Sequence, residues 1–488
     1  MPSDFLVIAP ELLVTLLALG VLCWDWITGN KRILGQFALF GSIVVCGLLI
    51  GQLLANQGMG VTLSGMFVGD RLALLLRLGI AGSAALVIAL SLDYVEKKPY
   101  GGEFYALLLM AVLGAMLAAA AGDLVQIFLA IELLSISSYV LAGWSRDEQR
   151  SSEAALKYLL FGGTSSAIFL LGAALLYGLT GTTNLSEISR QLASLDSSAG
   201  SAALLAGLLA LCGLGYKIAA VPFHSWVPDV YEGAPVPVAA FLSVGSKIAG
   251  FAVLIRLLVN ALPQLAGNWL LLLAIASVAS MTLGNLVALT QTNVKRLLGY
   301  SSIAQAGYLL LGLVAAAHHA TLGVGLAAVV FYLLGYVFMN LGAFAVVTLY
   351  AHSAGTEEIA DYAGLARRNP FMAFFMLICM ISLAGLPPLV GFWGKFYLFS
   401  AIIQYATITS QPIYLWLAVI GLINAVISLY YYMKIPKAMY LGKAASEEPV
   451  TLSPSLGAAA FVGAAGAIAL FVFPQPVWDL ALAAVRAL

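Results

Sequence analysis

Apolar stretches of about twenty residues follow one another along almost the whole chain, and this pattern restricts the fold more than any other feature. About 20 consecutive apolar residues are enough for a helix to span a bilayer. Such windows occur at about 5–27, 33–54, 70–92, 103–121, 123–144, 154–180, 201–231, 235–262, 267–289, 297–317, 321–350, 370–404, 412–438 and 452–473. Only 9% of the residues are charged, against about 25% in soluble proteins. The sequence predicts an all-α polytopic membrane protein with about 14 transmembrane helices.

Several common function classes are not indicated. The net formal charge is zero, so nothing favours a nucleic-acid partner. The four cysteines lie far apart without a Cys-x-x-Cys pair, and we interpret them as small apolar residues rather than disulfide or iron–sulfur ligands. The histidines have no haem or metal spacing, and no P-loop or dinucleotide fingerprint occurs. The first apolar run lacks a basic flank and an Ala-x-Ala site, which predicts a retained helix.

Four ionisable residues each stand alone within a long apolar stretch. They are Glu132 in Leu124–Trp144, Lys217 in Ala202–Val221, Lys247 in Val236–Ile255 and Lys395 in Phe371–Ile403. A charge at bilayer depth costs at least ~2.5–3.5 kcal/mol on insertion scales, and such residues usually mark ion or proton pathways. The pattern therefore indicates a transport function.

Basic residues alternate between the loops in a way that supports the helix count. The odd-numbered loops hold thirteen: Lys31, Arg32, Lys97, Lys98, Arg146, Arg150, Lys295, Arg296, Arg367, Arg368, Lys434, Lys437 and Lys443. The even-numbered loops and the C-terminal tail hold two, Arg190 and Arg486. Because lysine and arginine accumulate in inner loops, we predict that both termini lie on the outer side.

Two windows, 201–231 and 370–404, exceed 30 residues and contain central glycine and proline, which predicts that helices 7 and 12 are broken. They lie five helices apart, and an odd offset reverses direction through the membrane. This arrangement predicts inverted five-helix repeats with a site near the midplane. The alternative is that glycine and proline are simply frequent in membrane helices. The predicted units are helices 1–3 (1–100), a first repeat (101–262), a second repeat (263–440) and helix 14 with its tail (441–488).

Each buried charge has a structural alternative. For Glu132, desolvation favours the neutral acid, whereas a nearby lysine favours the carboxylate, so it is either a proton site or a packing ion pair. A buried lysine can exchange a proton near neutral pH. Snorkelling explains Lys247 poorly, since it lies twelve residues into its window, but it explains Lys157 as well as a functional role does. His224, beside the first break, is either a proton relay or a packed histidine.

Three motifs resemble the subunit N family of bacterial NADH–quinone oxidoreductase, respiratory complex I. They are Pro222–Pro237, with Pro-Asp-Val-Tyr-Glu-Gly-Ala-Pro inside it, Asn293–Ser302, and Gly385–Lys395. The resemblance covers roughly residues 70–445, and the wider family includes Mrp-type antiporters. It implies that Glu132 pairs with Lys217, that Lys247 is a central relay, and that Lys395 connects to an outer half-channel. It gives His224 and Lys295 secondary roles, to which we add Lys157.

The resemblance also implies what surrounds the chain. It implies no cofactor here, and FMN, iron–sulfur clusters, NAD(P)H and quinone on other subunits of the enzyme. The implied partners are complex I membrane subunits, with M-like and K-like neighbours first, together with lipid, protons and internal water. The implied location is a bacterial inner membrane, or a thylakoid membrane in a cyanobacterium. The rival interpretations are a stand-alone cation/proton antiporter and a mainly structural membrane-arm subunit.

Overall fold

The computed structural model describes the chain except Met1, Lys97, Pro99 and residues 195–199, 445–447, 451–452 and 487–488. The helices are α1 (Pro2–Asp25), α2 (Lys31–Ala55), α3 (Arg71–Glu96), α4 (Gly101–Ala119), α5 (Leu124–Ala142), α6 (Gln149–Thr180), α7 (Leu185–Ala193), α8 (Gly200–Lys217), α9 (Trp226–Gly233), α10 (Val236–Arg256), α11 (Ala266–Ala288), α12 (Val294–Ala315), α13 (His319–Ala354), α14 (Leu365–Arg368), α15 (Pro370–Ala384), α16 (Val390–Ile408), α17 (Leu415–Leu441), α18 (Pro454–Val472) and α19 (Pro474–Val485). Strands β1 (Gly60–Thr62) and β2 (Phe67–Gly69) form a small antiparallel hairpin.

Every predicted window contains a helix, and the two predicted breaks are confirmed. Within the described residues, thirteen helices are long and apolar enough to span a membrane, and α15 is a shorter apolar helix. Window 201–231 divides into α8 and α9, and window 370–404 divides into α15 and α16. The sequence did not predict the amphipathic α7 or the C-terminal α19. We call the side that holds the odd-numbered loops the basic face; of its predicted residues, Lys97 lies outside the described part of the chain.

Two five-span sections, α4–α10 and α11–α17, share one loop arrangement, in keeping with inverted repeats. In each, the loop after the third helix forms an antiparallel bridge with the residue that caps the second helix. The paired backbone bonds are Leu124 N–H to Thr183 O at 2.9 Å, Leu185 N–H to Gly122 O at 3.0 Å, Val294 N–H to Glu357 O at 2.9 Å and Ile359 N–H to Thr292 O at 2.8 Å. The caps also correspond, because Asp123 begins α5 and Asn293 begins α12.

The core of the molecule is centred on α10, in which every residue is buried. Without a hydrophobic force between helices in lipid, close packing depends on small residues. Gly342 of α13 and Gly463 of α18 illustrate this, since a Cβ added to Gly463 would lie 2.4 Å from the Gly342 Cα. Lys247, in the middle of α10, is therefore enclosed by neighbouring helices.

Two buried arginines join α3 to α1 and the start of α3 to the first section. Arg77 of α3 donates to Glu11 of α1 at 3.1 Å, and its side chain is fully buried. Arg256 of α10 donates to both carboxylate oxygens of Asp70, at 2.9 and 3.1 Å. The paired charges and hydrogen bonds offset the cost of burying these groups. The sequence placed both arginines in helices but did not predict their partners.

Candidate functional site

Lys217 is the last residue of α8, where the first broken helix stops, and its side chain is buried. Its Nζ donates to the Ser135 hydroxyl of α5 at 2.9 Å and lies 6.0 Å from the centre of the Tyr158 ring. One turn before Ser135, Glu132 accepts a hydrogen bond from Ser166 of α6. Glu132 itself is only half-buried.

The expected pairing of Glu132 with Lys217 is indirect in this structure. Ser135, which holds the lysine, and Ser166, which holds the glutamate, line the same small cavity of about 10 Å³. That volume is close to the space that one water requires. Lys217 and Glu132 therefore form no direct ion pair; the two serines that bind them face one shared cavity.

Lys247 occupies the middle of α10 and is also buried. Its Nζ donates to the backbone carbonyl of Ser302 in α12 and lies 5.9 Å from the centre of the Tyr336 ring of α13. No carboxylate within the described residues forms an ion pair with it. A helix carbonyl and an aromatic face are thus the groups that stabilise its charge.

Lys395 of α16 turns back toward the end of α15, the half-helix that precedes it. Gly385 ends α15 with a φ of +89°, and the N–H groups of Gly385 and Leu386 both return to the Ile381 carbonyl. This leaves the last carbonyls of α15 available to Lys395, which donates to Leu383 O at 3.1 Å and Ala384 O at 2.8 Å. The ammonium group therefore lies at the negative end of a helix dipole.

A group of buried polar side chains that the sequence analysis missed connects Lys247 to Lys395. Gln305 of α12 donates to the Tyr432 hydroxyl at 3.0 Å and to Leu383 O at 3.2 Å, the carbonyl that also accepts from Lys395. Tyr332 donates to the Gln305 side-chain oxygen. Ser301, next to the residue that binds Lys247, shares a hydrogen bond with Tyr432. A glutamine inside an apolar helix was the available sequence signal.

A second polar line runs from Lys247 toward the basic face. We call it the α10–α13 seam: Ser243 and Lys247 of α10 with Tyr336, Asn340 and Thr348 of α13. The spacing of the α13 residues puts them on one side of that helix over about 18 Å. Asn340 donates to Ser243 at 2.6 Å, while the Asn340 Oδ1 and the Tyr336 hydroxyl are buried without a protein partner. Buried polar atoms of this kind usually bind water.

At the basic face the seam meets a polar cavity of about 610 Å³. Thr348 lines it, as do the buried Lys295 and several acidic residues: Asp93, Glu148, Glu232, Glu357 and Glu358. Lys295 donates to the Ala234 carbonyl at 2.9 Å and forms an ion pair with Glu357 at 2.7 Å. The cavity can therefore hold water and carries proton-binding groups at its wall.

His224 and Lys157 are the two predicted residues not yet described. Neither belongs to the row of buried lysines formed by Lys217, Lys247 and Lys395. His224 is half-buried in the break between α8 and α9, and its Nδ1 has no hydrogen-bond partner. Lys157 is 36% exposed and lies 2.6 Å from both Glu153 and Asp229. Arg296 binds the other oxygen of Asp229 at 2.7 Å, so these charges attach α9 to α6 and α12.

Metal binding has no visible basis in the part of the chain that the structure describes. No three His, Cys, Asp or Glu side chains there are grouped so that they could hold a metal ion. The four cysteines are free thiols, of which Cys379 is buried and Cys23 is exposed.

Comparison with known proteins gives a consistent result. The family described as "NADH:quinone oxidoreductase/Mrp antiporter, TM" matches residues 121–428, which include Glu132, Lys217, Lys247 and Lys395. NADH-quinone oxidoreductase subunit N of Moorella thermoacetica is 44% identical over 476 residues, covering 97% of this chain and 96% of the relative. NAD(P)H-quinone oxidoreductase subunit 2 of Synechococcus sp. is 45% identical over 451 residues, covering 92% and 82%.

A solved structure has the same fold. A chain of respiratory complex I from Thermus thermophilus with bound aureothin is 31% identical and superposes with a TM-score of 0.79. The match covers 96% of this chain and 98% of that one. The similarity thus extends over the whole membrane-spanning part of the molecule, well beyond the three motifs.

Proposed function

The chain belongs to the family of NADH:quinone oxidoreductase and Mrp antiporter membrane subunits, and we propose that it is a proton-translocating subunit of a multi-subunit quinone oxidoreductase. The observation that carries the proposal is the row of three buried lysines, each held by uncharged protein oxygens, with buried polar side chains between Lys247 and Lys395. Ionisable residues buried in membrane helices without a charged partner usually mark ion or proton pathways.

In the proposed mechanism, protons reach Lys247 from the basic face. The polar cavity supplies them, with Lys295 and Glu357 at its wall, and waters bound along the α10–α13 seam carry them inward. The unpartnered oxygens of Tyr336 and Asn340 support this route, because they are groups at which such waters would bind. Gln305, Tyr332 and Tyr432 hold in place the polar groups between Lys247 and Lys395. The proton then leaves Lys395 toward the opposite face.

Coupling to quinone reduction would act on Glu132 and Lys217. If the glutamate moves away from the lysine, protonated Lys217 loses the nearby negative charge and releases its proton more readily. His224 lies in the break between α8 and α9, and Lys157 binds Asp229 of α9. Both residues would influence how readily Lys217 releases its proton. Moving one charge against 100 mV costs about 2.3 kcal/mol. The approach and separation of Glu132 and Lys217 would have to change the free energy of protonated Lys217 by a similar amount.

The proposed setting follows the family to which the chain belongs. FMN, iron–sulfur clusters, NAD(P)H and quinone would be bound by other subunits, and M-like and K-like membrane subunits would flank this chain. The membrane would be a bacterial inner membrane, or a thylakoid membrane if the source is cyanobacterial. The basic loops support inner placement of the basic face and outer placement of both termini. The units 101–262 and 263–440 would be the two half-channel repeats.

Purification of the tagged chain from its native membrane tests the assignment. We expect it to co-purify with flavin and iron–sulfur proteins and with quinone reductase activity. Recovery as an isolated chain that exchanges cations for protons would instead identify a stand-alone antiporter.

Substitution of the buried charges separates a pumping role from a structural one. In the assembled complex, Lys217→Ala or Glu132→Ala should lower the number of protons moved per electron, while the exposed control Lys443→Ser should not. A normal ratio in a fully assembled Lys217→Ala complex would rule out the proposed role of this site. Loss of assembly with both substitutions would favour a structural subunit.

A further inference from the structure

A groove unrelated to the proton route lies on the lateral surface between α15 and α17. It has a volume of about 730 Å³, and its sides are apolar, formed by Leu377 of α15 with Val426, Leu429 and Met433 of α17. Val426 is 66% exposed. We call this region the α15–α17 groove.

The end of the groove toward the basic face carries two lysines. Lys434 donates to the Leu289 carbonyl and lies 5.7 Å from the centre of the Tyr430 ring, which fixes its position. An ammonium group has three N–H donors, so Lys434 retains capacity for a further acceptor. Lys437, one turn later, is exposed. Neither lysine forms an ion pair within the residues that the structure describes.

A second recess, of about 460 Å³, meets the groove at the same two lysines. Its other lining groups come from loops on the basic face and include Gln291, Thr292 and Glu358. An apolar groove, a pair of cations and a second recess with several polar groups at its wall thus follow one another toward the basic face. Tyr430 and Tyr440 flank the cations, as aromatic residues do at a membrane interface.

We propose that the α15–α17 groove binds one anionic phospholipid, with its acyl chains along α17 and its phosphate at Lys434 and Lys437. The charges of the site select the headgroup. Two lysines and Glu358 leave one net positive charge, which a singly anionic lipid neutralises and a zwitterionic lipid does not. The hydroxyl groups of a glycerol headgroup would donate to Glu358 and Gln291, so phosphatidylglycerol fits the recess. The proposal is independent of the proton-transport assignment.

Lipid analysis of the intact complex tests the proposal. The complex is purified in mild detergent with its partner subunits, and its bound phospholipids are counted by native mass spectrometry. We expect the Lys434→Ser/Lys437→Ser variant to retain about one phosphatidylglycerol fewer per complex than the wild type, with phosphatidylethanolamine unchanged. Lys443→Ser, a nearby exposed lysine outside both recesses, should match the wild type.

A second variant tests lipid binding in the α15–α17 groove if the double variant does not assemble. Leu377→Trp fills the apolar part of the groove and keeps both lysines, and it should lose the same lipid. Unchanged phosphatidylglycerol in the variants, or loss of phosphatidylethanolamine in its place, would overturn the proposal. Loss of a neighbouring subunit without loss of lipid would also overturn it and would identify the groove as a protein interface.

Discussion

At the scale of single residues, Lys217, Lys247 and Lys395 share one property: each donates to uncharged oxygens, and none of the three is held by a carboxylate within the described residues. Lys217 has a serine hydroxyl, Lys247 a single carbonyl, and Lys395 two carbonyls at the end of α15. Breaking a buried ion pair costs several kcal/mol, and a proton can leave these lysines without that cost. This suits groups that load and unload repeatedly.

Gln305 is the residue whose replacement should affect the connection between Lys247 and Lys395 most. Gln305→Leu removes the acceptor of the Tyr332 hydroxyl and one of the two partners of the Leu383 carbonyl and of the Tyr432 hydroxyl, at a cost of roughly 1–3 kcal/mol. We expect proton translocation per electron to fall in assembled complexes, measured in sealed vesicles. Gln52→Leu, which removes a buried glutamine bonded to Leu6 far from the lysines, is the matched control. Equal effects of both changes would mean that Gln305 is structural.

At the scale of elements, each broken helix places a lysine near the point where its regular backbone stops. Lys217 ends α8, and Lys395 of α16 satisfies the carbonyls that the end of α15 leaves free. A break near mid-membrane is tolerated because buried side chains replace the missing backbone bonds. The α10–α13 seam differs, since it lies between two unbroken helices and contains buried polar atoms without a protein partner.

Cysteine accessibility tests whether the seam holds water. In a chain whose four native cysteines are replaced by alanine, Asn340→Cys should react with a small methanethiosulfonate reagent added on the basic face. Ser277→Cys should not react, because Ser277 is fully buried and donates to the Gly307 carbonyl at 2.7 Å. Labelling of this chain is measured by mass spectrometry. An unreactive Asn340→Cys would place the inlet elsewhere without affecting the family assignment.

At the scale of the whole molecule, two related five-span sections meet at α10, the fully buried last helix of the first section. The Arg256–Asp70 pair ties the N-terminal helices to this section. The two ends of the row differ in burial. Glu132 is half-buried on α5, whereas Lys395 is enclosed near α12 and α15. The proposed row therefore runs from α5 and α8 of the first section, through α10, to α16 of the second section.

Much of this arrangement was predictable from the sequence, because it depends on features of single segments. The span count follows from apolar length, the breaks follow from proline and glycine, and the buried lysines stand out as isolated charges. The partners were not predictable. Three features depend on which helix faces meet: the serine-lined cavity beside Lys217 and Glu132, the Asp70–Arg256 pair, and the role of Gln305. The sequence pattern does not specify those faces when nearly every position is apolar.

The proton-to-electron ratio of a complex that carries Lys247→Met tests the central claim most directly. Methionine keeps the apolar length of the side chain and removes the charge, so the variant complex should assemble and reduce quinone in uncoupled membranes. We predict fewer protons translocated per electron than in the wild type, measured together with quinone reduction in sealed vesicles. An unchanged ratio in fully assembled complexes would contradict proton transfer through the buried lysines.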